Sequence, residues 1–410
     1  MIVKTMEIKF RHIVVVFVLL SIGSLLAYAQ EASFNNTGGN LINNGTIRVN
    51  IGQVKGLPDS LGGRIEFTSK DHGLVQAIPN IKYWQLVLKG KGYRKIRKEN
   101  SSSHLIVGDS LIMIDSTRIE LYEADIYAKN SVENTTKVYG SKEVRLNSEV
   151  KAQDMIGNGR GSFDHLNIDN PHGVNVIKGG FTVDSSLTLT RGKLNNTTQN
   201  FNMRDSSLIT RYEGGALAEK PNFEGTIDVS YKGAGKSIQT GGELPLEKDK
   251  LQNLRVENAG GIVLTHDVQV NRSLYVGARI ATEFDEEKRY VLTYTPAINP
   301  DFSMSPQAEI DGTFRRTFIS YKENMLMNNR FTWALFKTDG DAGGVKTLNF
   351  RVKPKTFFAL PEGNVQKVER SFEIWAEKST TQSDTTTAIP NVDIELLDQV
   401  LQHQVQLLTQ

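Results

Sequence analysis

The chain of 410 residues contains no cysteine. Neither a disulfide framework nor a lipid-carrying cysteine is therefore available to it. Beyond residue 29 no segment approaches the ~18 apolar residues that a membrane-spanning helix requires. No His-x-His or His-Glu-x-x-His pair marks a metal site, and Gly157-Asn-Gly159 is followed by no helix that could cradle a phosphate. Helical spacing is nearly absent before residue 390. Each absence removes a class of function, and together they leave mainly shape to be read.

The first 29 residues read as a secretory signal. Lys4, Lys9 and Arg11 form a basic start, Ile13 to Leu26 is almost unbroken apolar sequence, and Ala27-Tyr28-Ala29 is the small-x-small pattern of a cleavage site. An uncleaved N-terminal anchor is the alternative. Removing the signal takes three basic residues and one acidic residue (Glu7) from totals of 48 and 46, leaving 45 of each. A net charge of zero gives no global attraction to nucleic acid or to an anionic membrane.

What is present is repetition. Asp184-Ser-Ser-Leu187 returns 21 residues later as Asp205-Ser-Ser-Leu208. At a displacement of 88, Leu166, Ile168, Asn170, Gly173, Val174 and Val176 recur as Leu254, Val256, Asn258, Gly261, Ile262 and Leu264. A more worn copy places Leu86 and Leu88 where Leu166 and Ile168 stand. Within each copy the apolar residues alternate with polar ones, as in Leu187-x-Leu189 and Leu274-x-Val276, which is the period of a strand with one buried face. Asn, Gly and Asp cluster between these runs, where tight turns need them.

Short strands, Asn/Gly corners and a rung of about 21 residues predict an all-β chain built around a β-solenoid of stacked coils. Residues 30–280 have room for roughly 12 such coils at that spacing. Leu187 of one coil is expected to lie over Leu208 of the next. A pair of antiparallel sandwiches is the competing fold.

Gln76-Ala-Ile-Pro79 followed by Tyr83, Leu86 and Gly90, and Thr240-Gly-Gly-Glu-Leu-Pro245 followed by Leu251-Gln-Asn-Leu254, carry a resemblance. They are similar to the units of exported surface proteins with haemagglutinin-type β-helix repeats, found in bacteria with type IX secretion. The resemblance spans about residues 35–280 and implies architecture and export rather than an activity. Such proteins often end in a short β-rich sorting domain, whereas this chain ends in a Gln-rich apolar segment. Gly312-Thr-Phe-Arg-Arg-Thr317 resembles a stretch of the domain that often follows these solenoids.

Residues 281–378 hold longer, more aromatic strands and read as a β-sandwich-like domain that covers the open end of the solenoid. A polar linker, 379–390, leads to a short amphipathic helix over 391–410, with Asn391 as its N-cap. Its seam of Ile394, Leu397, Leu401 and Leu408 reads as a docking or self-association face, or else packs back on the sandwich.

Candidate chemistry is sparse. Lys89, Lys91, Arg94, Lys95, Arg97 and Lys98 put six cations into ten residues, with Tyr93 among them. This run reads as a contact for an anionic surface glycan, or as a solvated face balanced by Glu99, Glu120 and Glu123. Asp339-Gly-Asp341 opens like a calcium loop but lacks the remaining carboxylates. Asp164, Asp169 and Asp184 are the acids from which a polysaccharide lyase or hydrolase would be built, and Asp285-Glu-Glu287 is a local acidic run. The reading is an exported, non-catalytic solenoid at the cell surface or outside the cell, without cofactor or metal. A periplasmic location and a polysaccharide-acting enzyme are the alternatives. The expected partners are a surface glycan or an envelope protein.

Overall fold

The computed structural model describes residues 33–35, 45–50, 52–55, 57–98, 102–115, 117–197, 200–283, 288–296 and 301–317. Beyond these it describes the strands Asn324–Asn328, Trp333–Thr338, Val345–Pro354, Phe358–Ala359, Gln366–Lys367, Arg370–Lys378, Val392–Leu397 and Gln404–Leu407. Among the described residues all regular elements are strands, and those that pair in parallel stack into a β-solenoid of about 12 turns.

One coil shows the plan. His104–Val107, Leu111–Met113 and Arg118–Glu120 are its three sides, and Asp125–Ala128, Val132–Asn134 and Lys137–Tyr139 repeat them one level on. Each side pairs in parallel with its counterpart, Leu105 to Ile126, Leu111 to Val132 and Ile119 to Val138. All six of these residues are buried. Three ladders of inward side chains therefore meet along the axis, and no coil can bury its own apolar residues without the next.

The 88-residue echo is one ladder sampled four coils apart. Leu166 pairs with Leu187, Leu187 with Ile209, Ile209 with Val229 and Val229 with Leu254. The accompanying asparagines do the same work at both levels. Asn170 and Asn258 are fully buried, and their Nδ2 groups donate to the backbone carbonyls of Lys151 (2.9 Å) and Lys236 (2.8 Å) in the preceding coil. Gly173 and Gly261 close the two turns by donating to the Asn170 and Asn258 carbonyls. Both glycines have positive φ (86° and 74°), and a Cβ on Gly261 would lie 2.3 Å from the Arg279 carbonyl oxygen. Only glycine fits such a corner.

The 21-residue echo is different. Ser186, not Leu187, is the register partner of Leu208, and Leu187 stacks on Ile209. Asp184 lies inside the continuous strand Phe181–Asn195, whereas Asp205 lies in a turn that precedes Ser207–Leu217. Ser206 takes a positive φ (61°) there, and Asp205 accepts from the Thr226 amide (2.6 Å). The turn uses one extra residue, and a one-residue slip exchanges the faces of a strand. Ser207 and Ile209 therefore point inward, and Leu208 is half-buried on the outside.

Parallel stacking continues past residue 280, where the sequence suggested that the solenoid ends. Ser273–Val276 pairs with Asp301–Met304, and Val291–Tyr294 with Ile310–Thr317. The next pairing is antiparallel: Ile310–Thr317 with Val345–Pro354, and that strand in turn with Arg370–Lys378. The change of direction occupies the edge of the last coil, which would otherwise offer unpaired amides. Arg351 fastens it, with Nε 2.5 Å and Nη2 2.9 Å from the two oxygens of Glu283.

The helix expected over 391–410 is not what its described residues form. Val392–Leu397 pairs antiparallel with Trp333–Thr338, and Gln404–Leu407 pairs in parallel with the strand that holds Ser371–Ile374. Val392, Ile394 and Leu396 alternate, and two of them are β-branched, so strand period and propensity compete with the helical spacing. Ile394 and Leu397 thus lie on a paired strand, while Leu401 and Leu408 lie outside the described residues.

These registers separate two substitutions that the tetrapeptide echo makes equivalent. Leu187→Asp, an unpaired charge in the ladder, should cost about 3 kcal/mol or more. Leu208→Asp should cost under about 1 kcal/mol, as surface changes do. Urea titrations of both variants measure this; equal losses would return Leu208 to the core. Deleting residues 388–410 should lower the melting temperature, because it removes two paired strands. An unchanged melting curve with a smaller particle mass would instead show that the tail serves association.

Candidate functional site

The basic run lies on one level of the solenoid, between two neighbouring levels. Tyr93–Arg97 pairs in parallel with Val75–Pro79 on one side and with Arg118–Glu120 on the other. Strand alternation divides the run between two faces: Tyr93, Lys95 and Arg97 point outward, and Arg94 and Ile96 point inward.

The outward cations meet acids from neighbouring coils. Lys89 lies 2.9 Å from Glu66, Lys95 lies 2.9 Å from Glu120, and Arg97 pairs with Glu123. Lys91 and Lys98 are exposed. Arg94 is wholly buried and folds back on its own turn, donating to the carbonyls of Lys89 (2.6 Å) and Lys91 (3.0 Å). Burial pulls its guanidinium down to about 10, which leaves it charged at neutral pH. It therefore acts as a peg for the turn rather than as part of the outer surface.

Aromatic rings stand beside these pairs. Arg118 donates to the Tyr93 hydroxyl (3.3 Å) and lies over its ring, 5.8 Å from the centroid. Tyr139 donates to Glu120 (2.6 Å), and Tyr122, exposed, meets Tyr139 edge to face at 6.4 Å. Burial and the Glu120 carboxylate push the Tyr139 hydroxyl well above the usual tyrosine range.

Glu66, itself buried, is the focus of one charged cluster. Arg48, Arg64 and Lys89, from three levels, all reach its carboxylate at 2.7–2.9 Å. Burial alone would raise its pKa, but the hydrogen bonds from Lys89, Arg64 and Arg48 outweigh burial and hold it at about 2.

The candidate catalytic acids are engaged in hydrogen bonds, and Asp164 and Asp184 stand at matching places on adjacent levels. Asp164 accepts from the Gly140 amide (2.9 Å), Asp169 from Arg191 Nε (2.5 Å) and Asp184 from Arg204 Nε (3.1 Å). Asp164 and Asp184 follow the register partners Phe163 and Val183, while Asp169 ends the strand Ser162–Asp169. Asp228 differs: burial raises its carboxyl above the usual range, against two hydrogen bonds from Asn253.

Histidines fill structural positions. His104 stacks on Tyr127 at 4.2 Å, His165 shares a hydrogen bond with Ser186 (2.7 Å), and His172 reaches the Glu149 carbonyl (3.2 Å). His72 is exposed, and His266 is half-buried, with burial lowering its pKa. Among the described residues no three His, Asp or Glu side chains are grouped to hold a metal ion. His403, Asp285 to Glu287 and Asp339 to Asp341 lie outside the described residues.

Two features escaped the sequence reading. Glu243, within the Thr240–Pro245 motif, is completely buried, pairs with Arg211 and accepts from Tyr231 Oη (2.8 Å) and the Gly241 amide (2.9 Å). Those partners lie up to 32 residues away, so nothing local marked it. Trp84 is the second. It is 53% exposed beside a shallow concavity of about 390 Å³ lined also by Ser60, Leu61, Gly62, Gly63 and Lys82. Alternation from the buried Tyr83 places it outward, and that was the available signal.

The Glu66 cluster predicts an acid-sensitive edge. A carboxyl held at about 2, below its ordinary 4.5, contributes stability that is present above pH 4.5 and lost as pH falls toward 2. Glu66→Gln should lower stability at pH 7 by on the order of 2 kcal/mol, after allowance for screening of the exposed Arg48. It should also flatten the acid limb of the stability curve. Parallel acid limbs in chemical denaturation would show that Glu66 is not linked to folding.

Compared with protein-family models, with curated proteins and with solved structures, the chain matches none.

Proposed function

We propose that this is an exported, non-catalytic β-solenoid with an interaction role, which presents its outer faces to glycans or proteins at the cell surface or beyond. The supporting observation is where the outer charges are used. The acids named above bind the neighbouring coil: Glu66 to Arg48 and Lys89, Glu120 to Lys95, Asp184 to Arg204. A hydrolase or lyase needs paired carboxylates, or a carboxylate and a metal, facing one cleft. Acids that hold one coil to the next suit a scaffold better.

On this reading residues 1–29 are a secretion signal, and the C-terminal strands close the end of the rod as layers of a sandwich. The resemblance to exported β-helix surface proteins points the same way. Partners would meet the sides of the rod, because the coil edges are occupied by their neighbours and by Val345–Pro354.

Incubating the purified protein with acidic and neutral polysaccharides should release no reducing ends and no unsaturated products, while the protein co-sediments with at least one insoluble glycan. Product release that disappears in Asp164→Asn, Asp169→Asn or Asp228→Asn would overturn the proposal and establish the enzyme reading.

A further inference from the structure

Trp84 stands outward on the rod and is 53% exposed. Its strand, Lys82–Gly90, pairs with Ser60–Ser69 below and with His104–Val107 above. At the level of the indole the chain below is interrupted by the irregularity between Leu61 and Arg64, which is Gly62-Gly63. Above, Gly108 and Asp109 donate their amides to the carbonyls of Tyr83 and Trp84. The ring thus lies between glycines, whereas the adjacent column that runs from Lys82 through Ile106 carries the outward side chains Tyr127, Arg145 and Asn167.

The fit against the upper glycine is close. A Cβ on Gly108 would stand 3.2 Å and 3.6 Å from two carbons of the indole. The ring rests on bare backbone, and a side chain at 108 would displace it. Half of the indole still faces solvent, over the concavity lined by Ser60, Gly62, Gly63 and Lys82.

Lys82 supplies the charge. It is exposed, and among the described residues no carboxylate pairs with it, whereas Lys89, Lys95 and Arg97 are all engaged. Beside the site Asp109 is fully used, accepting from Gln85 (2.6 Å) and Asn130 (2.7 Å). The open positions are therefore a flat aromatic surface, a hydroxyl at Ser60 and an unpaired ammonium.

The geometry points to a subsite for one acidic pyranose of a polysaccharide. We infer that Trp84 stacks against the C–H face of the sugar ring, that Lys82 pairs with its carboxylate, and that Ser60 hydrogen-bonds a ring hydroxyl. An aromatic face matches the flat apolar side of a pyranose, and an ammonium matches a uronate. A protein partner would ask for a wider apolar patch than one indole framed by glycine. This inference rests on the interaction reading above and names its ligand.

The test is a titration of the full-length protein with oligogalacturonate, followed by tryptophan fluorescence and calorimetry, with cello-oligosaccharide as the neutral control. Oligogalacturonate should change the fluorescence, and Trp84→Phe should abolish that change although Trp333 and Trp375 remain. Trp84→Ala should weaken binding about tenfold or more. Lys82→Gln should remove both the preference for the acidic oligomer and the salt dependence of binding. Because Trp84 and Lys82 are exposed, each variant should melt like the parent.

Binding undiminished in Trp84→Ala would overturn the subsite while leaving a glycan-binding role intact. Absence of binding to either oligomer by the parent would overturn the subsite, and absence across the wider polysaccharide panel would also sink the interaction reading. A parent that is dimeric by light scattering, with a monomeric Trp84→Ala variant, would reassign the patch to self-association.

Discussion

Everything in this molecule depends on the parallel pairing of each coil with the next. A coil of three short strands has inward side chains on three sides but too few to form a core alone. Leu105, Leu111 and Ile119 become buried because Ile126, Val132 and Val138 stand one level on. The apolar contribution and the backbone hydrogen bonds arrive together, level by level, so a defect in one coil removes a surface from two others. The corners follow from the same constraint. Asn170 and Asn258 are sealed inside turns, where their amide groups donate to carbonyls of the preceding coil.

The outer surface is organised by that pairing too. Register places one side chain over another at the strand spacing of about 4.8 Å, which is ion-pair and ring-stacking distance for long side chains. Arg48 stands over Glu66, and Arg255 over the ring of Tyr275 at 4.3 Å. The His104, Tyr127 and Arg145 stack crosses three levels. A charged residue that is paired across a rung is unavailable to a distant partner. Trp84 differs because glycines replace the side chains that would have covered the ring, and Lys82 stands between Ser60 and Ile106, neither of which carries a charge.

Much of this was legible in the sequence, and the parts that were not have a common cause. Period-two alternation and Asn/Gly corners identified the coils, and the match of Leu166 to Leu254 marks a real ladder four coils long. Leu208 was misplaced because a single left-handed residue, Ser206, moves the register by one. Spacing alone does not reveal such a slip. Arg94 lies inward as alternation requires, but its complete burial depends on carbonyls of the turn it pegs. Glu243 could not be read at all, since Arg211 and Tyr231 come from two successive levels, 32 and 12 residues away in the chain. The tail read as a helix, but Val392-Asp-Ile-Glu-Leu396 fits strand and helix periods alike, and it pairs with Trp333–Thr338 as a strand.

The central claim is the three-sided parallel stack, and distances along one outward column test it most directly. His165, Ser186, Leu208, Asp228, Asn253, Ser273 and Asp301 are successive register partners. The chain has no cysteine, so spin labels can be attached at introduced pairs without background. Electron–electron resonance should give a separation that grows by about 4.8 Å per level: about 19 Å from His165 to Asn253, four levels on, and about 29 Å to Asp301, six levels on. Separations that fail to increase along the series would contradict the stack and favour sandwiched antiparallel sheets.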